Sequence, residues 1–300
     1  MPGRILITGA SGFLGAYCVE TFARRGWDVV ATGRNVDRYK QAVQAVSCDL
    51  LDPNQIPDLV KTARATHLLH LAWNDDPRDR WTAPSNLDWV SASLRLTRAF
   101  AQNGGERMIF AGSCAEYEWG HDRFIEDQTP VRPASLYGAA KAHCGQLLGQ
   151  AAASLGISVA HTRLFFCYGH GEAEGRLLPD LLKGLEAGID VPCTDGHQRR
   201  DYLYAGDIAM ALALVAESEQ SSPINICSGL AIRVRDLIET AAVLMERPHI
   251  PQFGAISRPA GDPDIIEGDA SRLKALGFKP EFTLSKGVVD TLRRWREEPA

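Results

Sequence analysis

Residues 8–15, which read TGASGFLG, decide the fold of this chain. They follow the apolar run Ile5-Leu6-Ile7, which is typical of a buried strand, and they open a helical pattern over residues 14–25. Glycine lets a backbone approach a pyrophosphate closely, and the first turn of a helix presents free amides to it. The segment therefore predicts a dinucleotide-binding turn, with an ordinary tight strand-to-helix turn as the alternative. The residues expected to contact the dinucleotide are Gly9, Ser11, Gly12, Phe13, Leu14 and Gly15.

Apolar runs alternate with helical patterns through the first two-thirds of the chain. Strands are predicted at residues 4–8, 28–32, 45–48, 67–71, 107–111 and 158–163, and helices at residues 14–25, 86–103 and 136–155. Strand and helix repeated in this way predict an α/β fold, with a Rossmann-like doubly wound parallel sheet that carries helices on both faces.

The alternation ends near residue 163, where turn-rich stretches begin. Further helices are predicted at residues 177–187, 205–218, 234–245 and 284–295. We expect a dinucleotide-binding domain over residues 1–163, to which residues 205–247 return. Residues 164–204 and 248–300 are expected to form a smaller C-terminal substrate-binding lobe.

Composition narrows the class of function. The net charge is −5 and the basic pairs are short, so nucleic acid is not an expected partner. No apolar run reaches the roughly 18–20 residues that span a bilayer, so no membrane association is expected. The seven cysteines are scattered without a CxxC pair, which predicts a reducing, cytoplasmic location without disulfides or zinc.

His67 and His70 are three apart on a predicted strand and face opposite sides, so they are interpreted as packed or capping histidines rather than metal ligands.

The end of the second predicted strand indicates which dinucleotide is bound. An acidic residue there hydrogen-bonds the ribose 2′-hydroxyl of NAD, whereas an arginine pairs with the 2′-phosphate of NADP. The strand ends Thr32-Gly33-Arg34-Asn35, without an acid. Arg34 therefore favours NADP, with NAD still possible. A solvated surface arginine is the alternative.

Tyr137 and Lys141 are four residues apart on a predicted helix, so one helical turn places both side chains on the same face. An ammonium group lowers the pKa of a neighbouring phenol, and the phenol can then exchange a proton while hydride moves to or from a carbonyl carbon. Ser113 follows the fifth predicted strand and supplies a second hydrogen bond to the same oxygen. We predict Ser113, Tyr137 and Lys141 as catalytic, with a helix-surface pair as the alternative for Tyr137 and Lys141.

These motifs together resemble the extended short-chain dehydrogenases/reductases, which include nucleotide-sugar epimerases, dehydratases and ketoreductases. The resemblance covers essentially the whole chain and includes the TGxxGxxG loop, the YxxxK pair and an HLA segment at residues 70–72. It implies that Asp49 and Leu50 contact the adenine, and that Leu71, Ala72, Trp73 and Leu164 lie beside the cofactor with Tyr137 and Lys141. Trp73 is also interpreted as a wall of the sugar pocket, or equally as a packed residue.

The resemblance extends to the segments that bind substrate in this family. Residues 163–169 (RLFFCYG) match R-x-x-N-V-Y-G, residues 200–208 match R-D-F-x-Y-V-D-D-I, and residues 258–262 (RPAGD) resemble RPGD with one insertion. The match implies that Arg200 and Arg258 bind the diphosphate of a nucleotide sugar, and that Cys114 and Phe166 lie at the sugar.

Several positions depart from the family pattern. Phe166 stands where an asparagine is usual, and Trp89 fills another common asparagine position. Family dehydratases carry an Asp-Glu pair after the catalytic hydroxyl, whereas this chain has Cys114 and Ala115. Because neither replaces a carboxylate at neutral pH, an elimination reaction is not expected.

The leading functional prediction is an NADP-dependent 4-ketoreductase acting on a nucleotide-linked sugar or 6-deoxysugar, with Tyr137 as the proton donor. A 4-epimerase with tightly bound NAD is the first alternative, since it needs the same residues. A non-catalytic nucleotide-sensing protein is the second, although such a protein is expected to lose Tyr137 or Lys141.

A homodimer is also expected. The predicted helices at residues 86–103 and 136–155 carry apolar residues on more than one face, including Leu87, Leu94 and Leu147. The resemblance implies that these two helices pair with their mates across a two-fold axis. Packing beneath the second lobe of the same chain is the alternative.

Overall fold

A computed structural model describes residues 3–39, 43–74 and 76–297. The strands, numbered in chain order, are β1 (Arg4–Thr8), β2 (Asp28–Gly33), β3 (Gln44–Ser47), β4 (His67–His70), β5 (Arg107–Ser113), β6 (Ser158–Leu164), β7 (Phe166–Tyr168), β8 (Val191–Cys193), β9 (Arg199–Arg200), β10 (Tyr202–Tyr204), β11 (Ile224–Ile226), β12 (Ile232–Arg233), β13 (Pro251–Phe253) and β14 (Ile265–Ile266). The helices are α1 (Phe13–Arg24), α2 (Ile56–Ala63), α3 (Ser85–Gln102), α4 (Leu136–Leu155), α5 (Leu177–Ala187), α6 (Ala205–Ala216), α7 (Val234–Leu244), α8 (Ser271–Ala275) and α9 (Leu284–Glu297).

Seven strands form the central sheet in the order β11-β6-β5-β4-β1-β2-β3, with every neighbouring pair parallel. The strand order reverses between β1 and β4, as in doubly wound sheets. The predicted α/β, Rossmann-like fold is therefore confirmed.

Helices cover both faces of this sheet because its strands are apolar on both sides. Ile5 and Ile7 of β1 enter the apolar cluster shared with α1 and α6, whereas Leu6 between them enters the cluster shared with α2, α3 and α4. All three side chains are fully buried. This alternation accounts for the continuous apolar run of the sequence. No helix among the described residues is long and apolar enough to cross a membrane.

The predicted elements agree closely with the structure, and one difference affects the site. Strand β5 continues two residues beyond the predicted end, through Ser113, because Gly112 and Ser113 still pair with Arg163 and Leu164 of β6. Helix α4 has the predicted bounds. Helix α2 was not predicted from the sequence.

The chain beyond β6 divides between the central sheet and smaller sheets. Strand β11 extends the central sheet beside β6, and α6 packs against α1. Outside the central sheet, β7 pairs with β10, β8 pairs with β13, and β9 lies between β12 and β14. These small sheets bring residues 166 and 200 opposite the ends of the central strands.

Candidate active site

A cavity of about 600 Å³ lies at the carboxyl ends of the central strands. This is the edge where doubly wound sheets bind their ligands. The cavity brings together every residue that the sequence placed in a site except Arg258. Its walls include Gly9, Ser11, Gly12, Phe13, Leu14, Gly15, Arg34, Asp49, Leu50, Leu71, Ala72, Trp73, Ser113, Cys114, Tyr137, Lys141, Leu164, Phe166 and Arg200.

The glycine turn leaves no room for side chains. Gly9 has a φ of +67°, and a Cβ built on it would lie 2.9 Å from the amide nitrogen of Ala72. A Cβ on Gly15 would lie 2.0 Å from the carbonyl oxygen of Gly9. The turn therefore requires glycine at both positions, and it leaves the start of α1 open toward the cavity. These features fit a pyrophosphate bound at a helix N-terminus.

The far end of the cavity contains the residues predicted to contact the adenosine. Arg34 is exposed and lies on the cavity wall beside Gly33, so the end of β2 presents a guanidinium and no acid. Asp49 closes a tight turn in which its carboxylate accepts the amide of Leu51 at 3.0 Å. Leu50 is buried next to it. This end of the cavity suits a nucleotide base, which would lie between its apolar and polar walls. The guanidinium of Arg34 would then lie near the attached ribose.

Ser113 and Tyr137 meet at the other end of the cavity. Ser113 ends β5, and its hydroxyl accepts the amide of Ala115 at 3.2 Å in a short 3₁₀ turn, Cys114–Glu116. Ser135 caps α4 by accepting the amide of Gly138 at 3.1 Å, which fixes the first turn that carries Tyr137. Burial raises the pKa of Tyr137, while the charge of Arg80 and a hydrogen bond with Ser113 oppose this rise.

Lys141 is buried one turn after Tyr137, with only 3% of its surface exposed. Its ammonium donates to the carbonyl oxygen of Ala111 at 2.7 Å and lies 4.0 Å from the centroid of the Trp73 ring. Burial lowers the pKa of Lys141 to about 7. The apolar surroundings therefore oppose the charge of the ammonium.

Arg80 is a cavity residue that the sequence reasoning missed. It lies in the loop between β4 and α3, with its guanidinium carbon 4.9 Å from the Trp81 ring centroid and 5.8 Å from that of Tyr137. Its charge has the largest lowering effect on the pKa of Tyr137. No motif or spacing marks this arginine in the sequence. Its only local signal is its position shortly after the HLA segment.

The two arginines predicted to bind a diphosphate occupy different positions. Arg200 reaches the cavity wall, where it donates to the Asp262 carboxylate at 2.5 Å and lies 5.5 Å from the Phe166 ring centroid. Arg258 lies outside the cavity wall and donates to the Asp264 carboxylate at 2.9 Å and to the carbonyl oxygen of Asp262 at 3.1 Å. The segment around Asp262 therefore holds both guanidinium groups.

The positions that carry acids in family dehydratases hold no proton-transfer group here. Burial raises the pKa of the Cys114 thiol to about 12, and Ala115 has only a methyl group. The next residue, Glu116, is fully buried and hydrogen-bonds behind Ser113. This arrangement offers no carboxylate to the cavity next to Ser113.

The histidines and tryptophans near the site have packing roles. His70 is buried between the hydroxyls of Thr8 and Ser93, at 2.7 and 2.8 Å, and burial lowers its pKa to about 3. Trp73 donates to the side-chain carbonyl oxygen of Asn86 at 2.8 Å and also lines the cavity, and its contact with a sugar stays a prediction. Trp89 stacks on it, with ring centroids 6.2 Å apart.

Comparison with known proteins gives consistent matches over the whole chain. The UDP-glucose 4-epimerase of Corynebacterium glutamicum is 25% identical, aligned over 96% of this chain and 94% of its own length. The crystal structure of Thermus thermophilus UDP-glucose 4-epimerase in complex with NAD superposes with a TM-score of 0.87 and 25% identity, over 98% of this chain and 99% of that chain. MoeE5 in complex with UDP-glucose and NAD superposes with a TM-score of 0.86 and 28% identity, over 99% and 100% of the two chains.

The family model matches residues 5–227, which include the glycine turn, Ser113, Tyr137 and Lys141. The match extends over more than half of the 300 residues. The chain belongs to the NAD dependent epimerase/dehydratase family.

Proposed function

We propose that this protein is an NADP-dependent reductase that converts the 4-keto group of a nucleotide-linked sugar to a hydroxyl. The observation that carries the proposal is the meeting of Ser113, Tyr137 and Lys141 with the glycine turn in one cavity. The relatives support the substrate class, because they are UDP-sugar enzymes that were solved with NAD and UDP-glucose.

The residues of the site have separate roles in the proposed reaction. The hydroxyls of Ser113 and Tyr137 would hold the ketone oxygen. A dinucleotide held at the glycine turn would supply the hydride for the adjacent carbon. Tyr137 then gives its proton to the developing alkoxide. Its raised pKa means that the phenol holds this proton at neutral pH, as a donor must. The charge of Arg80 and the hydrogen bond with Ser113 stabilise the phenolate that remains.

Arg34 supports NADP as the cofactor. It lines the cavity at the end of β2, where an acid would select NAD. A guanidinium beside the ribose pairs with a 2′-phosphate through charge-assisted hydrogen bonds.

The aromatic lining of the cavity also supports the proposal of a substrate whose sugar has few hydroxyl groups. Around Tyr137 its wall is largely aromatic, with the Trp81 ring centroid 5.5 Å from that of Tyr137. Trp119 and Phe166 belong to the same wall. A sugar hydroxyl placed against such a wall loses its hydrogen bonds with water, which costs about 1–3 kcal/mol. A methyl group at carbon 6 avoids this cost where it meets the aromatic rings, which supports a 6-deoxy sugar as the substrate.

Two measurements test the proposal. Mass analysis of the dinucleotide that copurifies is expected to give NADP. Consumption of NADPH, followed at its absorbance band, is expected with 4-keto-6-deoxy nucleotide sugars and to be much slower with counterparts that carry a 6-hydroxyl. Absence of NADPH consumption with every 4-keto nucleotide sugar in the panel refutes the reductase.

A 4-epimerase is the second candidate, and the named relatives favour it. An epimerase oxidises and then re-reduces the same carbon, so it retains its dinucleotide and consumes none. Interconversion of UDP-glucose and UDP-galactose without added cofactor, together with stoichiometric tightly bound NAD, establishes the epimerase in place of the reductase.

A further inference from the structure

A buried carboxylate lies directly behind the catalytic serine. One oxygen of Glu116 accepts the backbone amide of Ser113 at 2.8 Å and lies 3.0 Å from Nε2 of His161. The other accepts Nε of Arg163 at 2.8 Å. Glu116 has no exposed surface, and His161 and Arg163 are 5% and 3% exposed. An acid bound in this way has no contact with solvent.

Two glycines make space for this cluster. A Cβ on Gly112 would lie 2.2 Å from the Glu116 carboxylate and 2.5 Å from Nε2 of His161. A Cβ on Gly145 of α4 would lie 2.2 Å from Cε1 of the same imidazole. The cluster therefore occupies the space between β5 and the helix that carries Tyr137 and Lys141, and no side chain separates it from either.

The carboxylate keeps its charge despite its burial. Burial raises the pKa of Glu116, but His161 and Arg163 lower it by more, so its pKa lies below the ordinary value. The groups that act on the Tyr137 phenol are Arg80, Ser113, Cys114 and Glu116. The negative charge of Glu116 raises the pKa of Tyr137 and also that of Lys141.

We propose that Glu116 is a positioning residue for the reductase reaction: its buried carboxylate fixes the backbone of Ser113 and places a negative charge behind the wall that carries the catalytic side chains. This role rests on the proposed function. Glu116 reaches the reacting atoms only through Ser113 and Tyr137, because it lies behind the cavity wall. Its partner Arg163 is the first residue of the RLFFCYG segment. This segment therefore contributes to the site in two ways, through residues that line the cavity and through the ion pair with Glu116.

Glu116→Gln tests the proposal because it keeps the shape of the side chain and removes the charge. We expect kcat to fall at least tenfold while KM stays within about threefold. The alkaline decline of kcat, which reports loss of the Tyr137 proton, is expected to shift to lower pH by at least half a unit, because removal of a neighbouring negative charge weakens proton binding.

Glu126→Gln is the matched control. Glu126 is also a buried acid of this region, with 6% exposure, and its carboxylate accepts the amide of Asn225 at 2.9 Å. It is expected to leave the pH profile unchanged. A Glu116→Gln enzyme with wild-type pH dependence and more than half of the wild-type kcat overturns the proposal.

A double variant and a titration without substrate extend the test to the cases in which Glu116→Gln does not fold or no nucleotide sugar is reduced. If Glu116→Gln alone fails to fold because Arg163 is left without its counter-charge, the double variant Glu116→Gln/Arg163→Gln removes both charges. It is expected to keep the fall in kcat, with a smaller shift of the pH profile because loss of the positive charge offsets loss of the negative one. Titration of the phenolate absorbance, assigned to Tyr137 by subtraction of a Tyr137→Phe variant, requires no substrate. A lower midpoint in the Glu116 variant supports the proposal even if no nucleotide sugar is reduced, and an unchanged midpoint refutes it.

Discussion

Replacement of Lys141 by methionine is expected to abolish turnover and to make the cofactor-free protein more stable at neutral pH. The native protein buries the ammonium of Lys141, and this burial lowers its pKa from 10.5 to about 7. The unfolded chain therefore takes up a proton below about pH 10.5 that the native protein takes up only below about pH 7. This difference destabilises the fold increasingly from pH 10.5 down to pH 7 and by a constant amount below that.

The size of the effect follows from the contacts of the ammonium. The pKa difference corresponds to about 4–5 kcal/mol at pH 7. Methionine loses the hydrogen bond to the carbonyl oxygen of Ala111, a loss of about 1–3 kcal/mol. It also loses the cation–π contact with Trp73, a loss of about 1 kcal/mol. The net gain is at most about 3 kcal/mol, or a rise in Tm of at most about 5 °C.

Thermal and urea unfolding of the cofactor-free proteins between pH 6 and 10 measures this gain. The advantage of Lys141→Met is expected to shrink as the pH rises above 7. Lys183→Met is the control, because Lys183 is exposed and pairs with Glu174 on the surface. Its effect is expected to stay within about 0.5 kcal/mol and to change little with pH. A Lys141 variant that is less stable than wild type at pH 7, or whose advantage does not depend on pH, refutes the reasoning.

Four further outcomes are expected. Tyr137→Phe lowers kcat by about 10²–10⁴-fold and leaves dinucleotide affinity intact, which steady-state kinetics and a binding titration measure together. Arg34→Ala weakens NADPH by about 1–3 kcal/mol and NADH much less, and equal weakening of both cofactors would show that Arg34 does not contact the phosphate. Arg200→Ala raises KM for the nucleotide sugar more than Arg258→Ala does, since only Arg200 lines the cavity; the reverse order places the diphosphate elsewhere. Sedimentation equilibrium gives a homodimer through α3 and α4, whereas a 32.8 kDa species at micromolar concentration excludes it.

The fold could be predicted because its signals are local. Each parallel strand is a short apolar run, and the glycine turn marks the junction of β1 and α1. Residues at the ends of parallel strands meet at one edge of the sheet, so strand positions alone bring Ser113 next to the glycine turn. The spacing of Tyr137 and Lys141 needs only one turn of helix. Ser113, Tyr137 and Lys141 could therefore be predicted from sequence patterns.

The charged groups around Tyr137 could not be predicted from local sequence patterns. Arg80 approaches the phenol through the path of a loop, and loop paths have no periodic signal. The contact of Glu116 with His161 and Arg163 depends on the register of β5 and β6, in which Phe110 lies beside His161 and Gly112 beside Arg163. Arg258 differs from Arg200: the family motif predicts both at the diphosphate, but the Arg258 guanidinium lies outside the cavity wall and donates to the segment of its own loop, so its role stays a prediction.

The charges around Tyr137 bear on the proposed choice of reduction over epimerisation. An epimerase first removes a proton from a sugar hydroxyl, so it needs a phenolate at the start, whereas a reductase needs a phenol. Burial and the charge of Glu116 both raise the pKa of Tyr137, and Arg80 opposes them only in part. Lys141, with a pKa of about 7, adds less than a full positive charge at neutral pH. A substrate that expels water strengthens each of these effects without changing their sign. A phenol that keeps its proton in the resting site is what the proposed reductase requires of Tyr137.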